Sequence, residues 1–89
     1  MNDYKIKSMD GEQVLILGGM GFIGSNLAHK ITDLGAKVTI YDNFMKGTGA
    51  NPMNIKEIKH LVQVIKGDIR EIKLLSKAVK DKAIIFNCA

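Results

Sequence analysis

The chain alternates short, unbroken apolar runs with longer stretches in which apolar positions recur every three or four residues. Val14-Leu-Ile-Leu17 is apolar throughout and stops at glycines. A strand covered on both faces reads this way, whereas a half-exposed strand would alternate. Ile23, Leu27, Ile31 and Leu34 then fall at helical spacing, with Gly35 placed to end the helix. Val38-Thr-Ile-Tyr41 is β-branched and aromatic and predicts a second strand. From Asp42 to Pro52 the chain is rich in Gly and Asn and reads as a loop. Pro52 suits the first turn of a second helix, whose inner face would be Ile55, Ile58 and Leu61. Val62-Gln-Val-Ile65 predicts a third strand. Asp68-Ile-Arg-Glu71 reads as a capping box with Asp in place of the usual Ser or Thr. The helix it opens would bury Ile72, Leu75 and Val79, and Ala83-Ile-Ile-Phe86 predicts a fourth strand. The order β-α-β-α-β-α-β implies an α/β fold with a parallel sheet and right-handed crossovers. Residues 1–12 read as a polar leader ahead of one folded unit over 13–89, with no repeat or linker inside it.

Composition narrows the classes. A chain of 89 residues with 46% hydrophobic residues can hold one small core and buries roughly 64% of its unfolded surface. The net charge of +4 comes from lysines scattered along the chain and reads as a solvated surface. Two Tyr, three Phe and no Trp supply a poor stacking platform for bases, so nucleic acid is not expected as a partner. No apolar run approaches a membrane span, and the N-terminus carries no apolar signal region. A cytoplasmic protein is the expectation. Cys88 is the one cysteine, which excludes an intrachain disulfide. His29 and His60 have no His or Cys at metal-ligand spacing, so no metal is expected and both read as surface or interface histidines. Cys88 reads as a small hydrophobe, because no His or Asn partner is evident for a nucleophile.

One short stretch breaks the ordinary pattern. Leu17-Gly-Gly-Met-Gly-Phe-Ile-Gly24 sets four glycines between the first strand and the first helix. Glycine there permits a tight turn, lets a pyrophosphate approach the backbone, and lets the helix pack close to the strand. The helix's free N–H groups and positive dipole end then face the anion. Two registers fit: Gly19, Gly21 and Gly24 as G-x-G-x-x-G, or Gly18, Gly21 and Gly24 as G-x-x-G-x-x-G. Asp42 closes the second strand, where a carboxylate can accept both ribose hydroxyls of an adenosine and repel a 2′-phosphate. NAD is therefore expected over NADP. Asp42 also suits an Asx-turn leaving the strand, helped by Asn43.

Leu15-Ile-Leu-Gly-Gly-Met-Gly-Phe-Ile-Gly-Ser-Asn-Leu27 resembles the nucleotide loop of the extended short-chain dehydrogenases, the NAD-dependent epimerase/dehydratase family. Tyr41-Asp-Asn-Phe44 with Lys46-Gly47, Gly67-Asp-Ile-Arg70 and Phe86-Asn-Cys-Ala89 resemble three further family segments, in the family's order. The resemblance implies a partial Rossmann fold, about four strands in the order 3-2-1-4 with three crossover helices. It favours Gly18, Gly21 and Gly24 as the family glycines and makes the amides of Phe22 and Ile23 donors to the pyrophosphate. It implies that Asp42 holds the adenosine ribose, and that the loop with Asn43, Lys46 and Gly47 covers the adenine side. Asp68 and Ile69 would meet the adenine edge, Asp68 being equally able to serve as a helix cap. Cys88 and Ala89 would run beneath the cofactor.

This sequence also departs from the family pattern. Leu17 stands where the family usually has Thr, and Lys46 brings a positive charge near the ribose site. The family's Tyr-x-x-x-Lys pair and its sugar-nucleotide domain have no counterpart here: Tyr4 is followed four residues on by Ser8, and Tyr41 by Met45. No catalytic residue is therefore assigned, and turnover by this chain alone is not expected. Three roles stay open: part of a nucleotide-sugar enzyme, a stand-alone nucleotide-binding or regulatory module, or a fold fragment completed by another chain. The fourth strand would be an apolar edge and the second sheet face thinly covered, so a homo-oligomer is expected.

Overall fold

The computed structural model describes residues 8–44 and 50–89. Four strands, β1 (Gln13–Leu17), β2 (Lys37–Asp42), β3 (Val62–Lys66) and β4 (Ile84–Asn87), form one parallel sheet in the order β3-β2-β1-β4. This is the order expected of a partial Rossmann fold. At the ends of the central strands Leu17 stands beside Tyr41 on one side and Asn87 on the other.

The two helices α1 (Phe22–Asp33) and α2 (Ile72–Val79) lie on opposite faces of the sheet. Alternate residues of the buried strands serve both. Val14, Ile16, Val38 and Ile40 pack with Ala28 and Ile31 of α1. Leu15 and Tyr41 pack with Ala78 of α2, flanked by Leu74, Leu75 and Val79. Val14, Leu15, Ile16 and Ile40 are fully buried, each contributing roughly 1.5–3 kcal/mol of transfer free energy. Two-sided burial explains why these strands are apolar without alternation.

The second crossover differs from the expected α-helix. Pro52–Leu61 is 3-10 helix, in two pieces joined at Ile55 (φ −116°, ψ 16°). Its apolar residues Ile55, Ile58 and Leu61 are spaced by three, the period of the 3-10 form, in which such positions line up. Ile55 and Ile58 are buried against the α1 face, but Leu61 is exposed. The stripe expected on α2 also shifts. Leu75 and Val79 pack against the sheet as expected, joined by Leu74 and Ala78, whereas Ile72, the first residue of the helix, is 68% exposed. Half of the expected capping box forms: the Asp68 amide donates to Glu71 Oε1 at 3.0 Å. The other half does not, since the Asp68 carboxylate accepts the Arg70 amide instead.

Met9, in the segment read as a polar leader, is buried in the core, and its amide donates to the Leu34 carbonyl at 2.7 Å. Gly11 donates to Gly35 in the same way, tying this segment to the end of α1. Among the described residues no helix is long and apolar enough to cross a membrane.

Candidate functional site

The glycine turn runs from the end of β1 into α1, and each of its glycines answers a different constraint. Gly18 has φ +78°, a left-handed conformation that side chains resist. A Cβ there would also stand 2.8 Å from the backbone of Cys88 and Ala89. A Cβ on Gly19 would press into Ile40 of β2. A Cβ on Gly24 would meet the carbonyl of Gly18 and the Cα of Gly19, so this glycine brings helix and turn together. Gly21 is unlike the other three. Its φ is an ordinary −75°, and the nearest protein atom to a Cβ there is 3.6 Å away. Nothing in the protein fold requires a glycine at that position, and its open side lines a cavity. Both expected registers therefore contain glycines with real work: Gly18 and Gly19 are each sterically required.

That cavity, of about 280 Å³, opens at the ends of the parallel strands. Of the expected site residues, Gly18, Gly21, Asp42, Asn43, Ile69, Cys88 and Ala89 line it. Phe22, Ile23 and Gly24 form the first turn of α1 directly behind Gly21. Their amides have no helical carbonyl four residues back. Gly21 is the N-cap and has no side chain to cap them, and the first turn holds no acidic residue. The helix thus presents its positive end uncompensated. Lys46 and Gly47 lie outside the described residues. Asp68 does not line the cavity, although its neighbours Gly67 and Ile69 do.

Asp42 is buried at the end of β2 with both carboxylate oxygens engaged. Oδ2 accepts the Met20 amide at 3.0 Å, and Oδ1 accepts the Phe44 amide at 2.7 Å. The second contact is the Asx-turn that the sequence allowed. Each oxygen keeps a further lone pair for an incoming hydroxyl.

On the opposite face of the sheet the Tyr41 hydroxyl donates to the Asp68 carbonyl at 2.7 Å. Its ring lies against Gly67, where a Cβ would come within 2.6 Å of the phenolic oxygen. Burial first, then the negative charges of Glu71 and Asp68, push the Tyr41 phenol above its ordinary range, so it remains a donor. The Asp68 carboxylate accepts Arg70 Nε at 3.0 Å, Arg70 Nη2 at 2.8 Å and the Arg70 amide at 2.8 Å. These side-chain bonds, then the backbone bond, hold it well below the usual carboxylate range.

Tyr41, Ala50 and Gly67 also line the cavity and were not among the expected residues. Gly67 carried a signal, a glycine at the end of a strand where a close approach is needed. Tyr41 carried none, since its β-propensity alone accounts for its place in β2. Cys88 is half-buried and unpaired by disulfide, at the cavity's floor.

The model of the NAD dependent epimerase/dehydratase family matches residues 14–89. The chain belongs to this family. It is 33% identical over 78 residues to a UDP-N-acetyl-alpha-D-glucosaminuronate decarboxylase of Bacillus cytotoxicus, covering 88% of this chain and 23% of that protein. It is 31% identical over 72 residues to a UDP-glucose 4-epimerase of Azospirillum brasilense, covering 81% of this chain and 19% of that protein. Among solved structures, an epimerase from Methanothermobacter thermautotrophicus superimposes with a TM-score of 0.81 at 33% identity, over 94% of this chain and 24% of the other. A dTDP-glucose 4,6-dehydratase from Bacillus anthracis, solved with NAD, gives 0.78 at 29% identity, over 89% and 27%. The chain therefore spans about a quarter or less of the length of these relatives.

Proposed function

We propose that this chain holds the adenosine and pyrophosphate of NAD, as the cofactor-binding part of a nucleotide-sugar epimerase or dehydratase. The observation that carries the reading is Gly21. It is a glycine that the protein's own packing does not require, at the uncapped N-terminus of α1 and on the wall of the cavity. A space kept free of a Cβ beside unpaired amides suits a phosphate. Asp42, one strand away, suits the ribose hydroxyls, and the Gly67–Ile69 turn suits the adenine. The cavity's volume is near the lower end of small-ligand pockets, roughly 300–1,000 Å³, and matches half of a dinucleotide better than the whole. The dTDP-glucose 4,6-dehydratase solved with NAD supports the choice of ligand.

In this reading the amides of Phe22 and Ile23 bind the pyrophosphate, and Asp42 favours NAD over NADP by repelling a 2′-phosphate. Bound NAD would supply hydride transfer. The residues of this chain bind and orient. The sequence holds no Tyr-x-x-x-Lys pair to take a proton from a sugar hydroxyl, so turnover on nucleotide sugars by these 89 residues alone is not expected. Titration calorimetry with NAD, ADP-ribose and AMP tests the reading. Saturable binding of all three supports it, and no heat at millimolar ligand overturns it.

Self-association belongs to the same proposal. β4 lies at the edge of the sheet, and Ile85 on it is about half exposed. Pairing with a second copy would bury that edge. Sedimentation equilibrium at micromolar concentration showing only the 9.8 kDa species would overturn it.

A further inference from the structure

Three of the four residues from Gly18 to Gly21 are glycines, so the turn has almost no side chains with which to hold itself. Its order must come from outside, and Met20 is where the outside bonds converge. Met20 is buried. Its amide donates to Asp42. Its carbonyl accepts Asn54 Nδ2 at 2.8 Å and the Asn51 amide at 3.1 Å. Both asparagines belong to the start of the 3-10 segment, far along the chain from the turn.

The donors are themselves braced. The Asn51 side chain accepts the Met53 amide at 3.0 Å, and the Asn54 amide donates to the Asn51 carbonyl at 2.9 Å. His29 Nε2, on α1, donates to the Asn54 carbonyl at 2.9 Å. Asn54 therefore joins the body of α1, through its backbone, to the tip of the turn, through its side chain. The Met20 carbonyl and the Gly21 N–H belong to one planar peptide unit and point in opposite directions. Fixing the carbonyl fixes the direction of the Gly21 amide. That amide's bond within the turn, to the Gly18 carbonyl, is long at 3.3 Å.

We infer that Asn54 is a positioning residue for the glycine turn: its side-chain amide holds the Met20–Gly21 peptide, and with it the entry into α1 where the Phe22 and Ile23 amides are proposed to receive the pyrophosphate. Part of this inference, the effect on ligand, rests on the function proposed above; the ordering of the turn does not. Holding the turn in its bound form before the ligand arrives lowers the cost of ordering it on binding.

The test compares the intact chain with Asn54→Ala and Asn54→Asp. The second variant keeps the side chain's volume and removes the donor. Amide hydrogen exchange is followed by NMR without ligand. In both variants the amides of Met20 and Gly21, bonded to Asp42 and to the Gly18 carbonyl, should exchange about threefold to tenfold faster, the loss of one net hydrogen bond, while those of β1 and β2 keep their rates. ADP-ribose should bind Asn54→Ala weaker by about the same factor, and adenosine, which has no phosphate, should bind unchanged. Turn amides that exchange at the unmutated rate in both variants would overturn the inference. So would a uniform loss of protection across the sheet, or an equal loss of ADP-ribose and adenosine. If the unmutated chain binds neither ligand, the proposed function fails, and the exchange rates alone decide the role of Asn54.

Discussion

Asp42 Oδ2 accepts the amide of Met20 at 3.0 Å, so the carboxylate proposed to receive the ribose also anchors the turn proposed to receive the phosphates. The two halves of the site are mechanically one. Asp42→Asn keeps one acceptor oxygen and removes the charge. We expect it to weaken NAD by about tenfold or more, as for loss of a charge-assisted bond, and to bring the affinities for NAD and NADP together. Calorimetry with both cofactors measures this. Equal affinities in the unmutated protein would remove Asp42 from cofactor selection.

Gly21 and Gly24 should respond in opposite ways to the same substitution. Gly21→Ala places a methyl in open space at an allowed φ. Its stability should change by less than about 1 kcal/mol, the restricted unfolded chain offsetting the poorer N-cap. Its affinity for ADP-ribose should nevertheless fall about tenfold or more, since the methyl occupies the ligand's approach. Gly24→Ala drives a methyl into the backbone of Gly18 and Gly19, which cannot step aside. It should lose about 1–3 kcal/mol of stability in urea unfolding, ligand or not.

Tyr41→Phe deletes the bond to the Asp68 carbonyl and leaves the ring in place. The turn that carries Ile69 loses one of its ties to β2 and keeps the other, from the Gly67 amide to the Asp42 carbonyl. A lower urea midpoint is expected, together with an adenosine affinity reduced about threefold for one hydrogen bond. Unchanged adenosine binding would show that the Gly67–Ile69 turn plays no part in the site.

Asp68 is held ionised by Arg70. The folded-state pKa lies below the unfolded one, so the pair's contribution is fully present above the unfolded carboxylate range and is lost as pH falls through the lower folded value. Arg70 is 84% exposed, so the effect on stability is small. Arg70→Ala should move the Asp68 titration, followed by carboxyl NMR, upward toward pH 4. A titration that stays put would mean that Arg70 is not what holds the carboxylate.

Much of this architecture was legible before any coordinates. Unbroken apolar strands separated by helical patterns fix a parallel sheet, because only two-sided burial removes alternation. Glycines that the backbone needs, such as Gly18, also announce themselves. The sequence pattern failed where a contact depends on which elements meet. The bonds from Asn51 and Asn54 to the Met20 carbonyl join two segments far apart in the chain, a pairing that no local rule reveals. Tyr41 reads as a strand former, and only the crossing of β3 beside it brings Gly67 against its ring. Ile72 has the right periodicity for burial but, as the first residue of α2, is left exposed. His29 reads as a surface or interface residue, and its bond to Asn54 shows which, though the partner is not legible locally.

Gly18 rests on the backbone of Cys88 and Ala89, and Cys88 donates to the Leu17 carbonyl at 2.8 Å. The floor beneath the glycine turn is therefore laid by the residues that follow β4. A ligand seated on that floor would bridge β1 and β4, and any sub-global opening that peels β4 from β1 would have to release it. Ligand binding would thus act as a latch on an edge strand of the sheet. Its signature would be slower exchange of the β4 amides, at positions that no ligand atom touches.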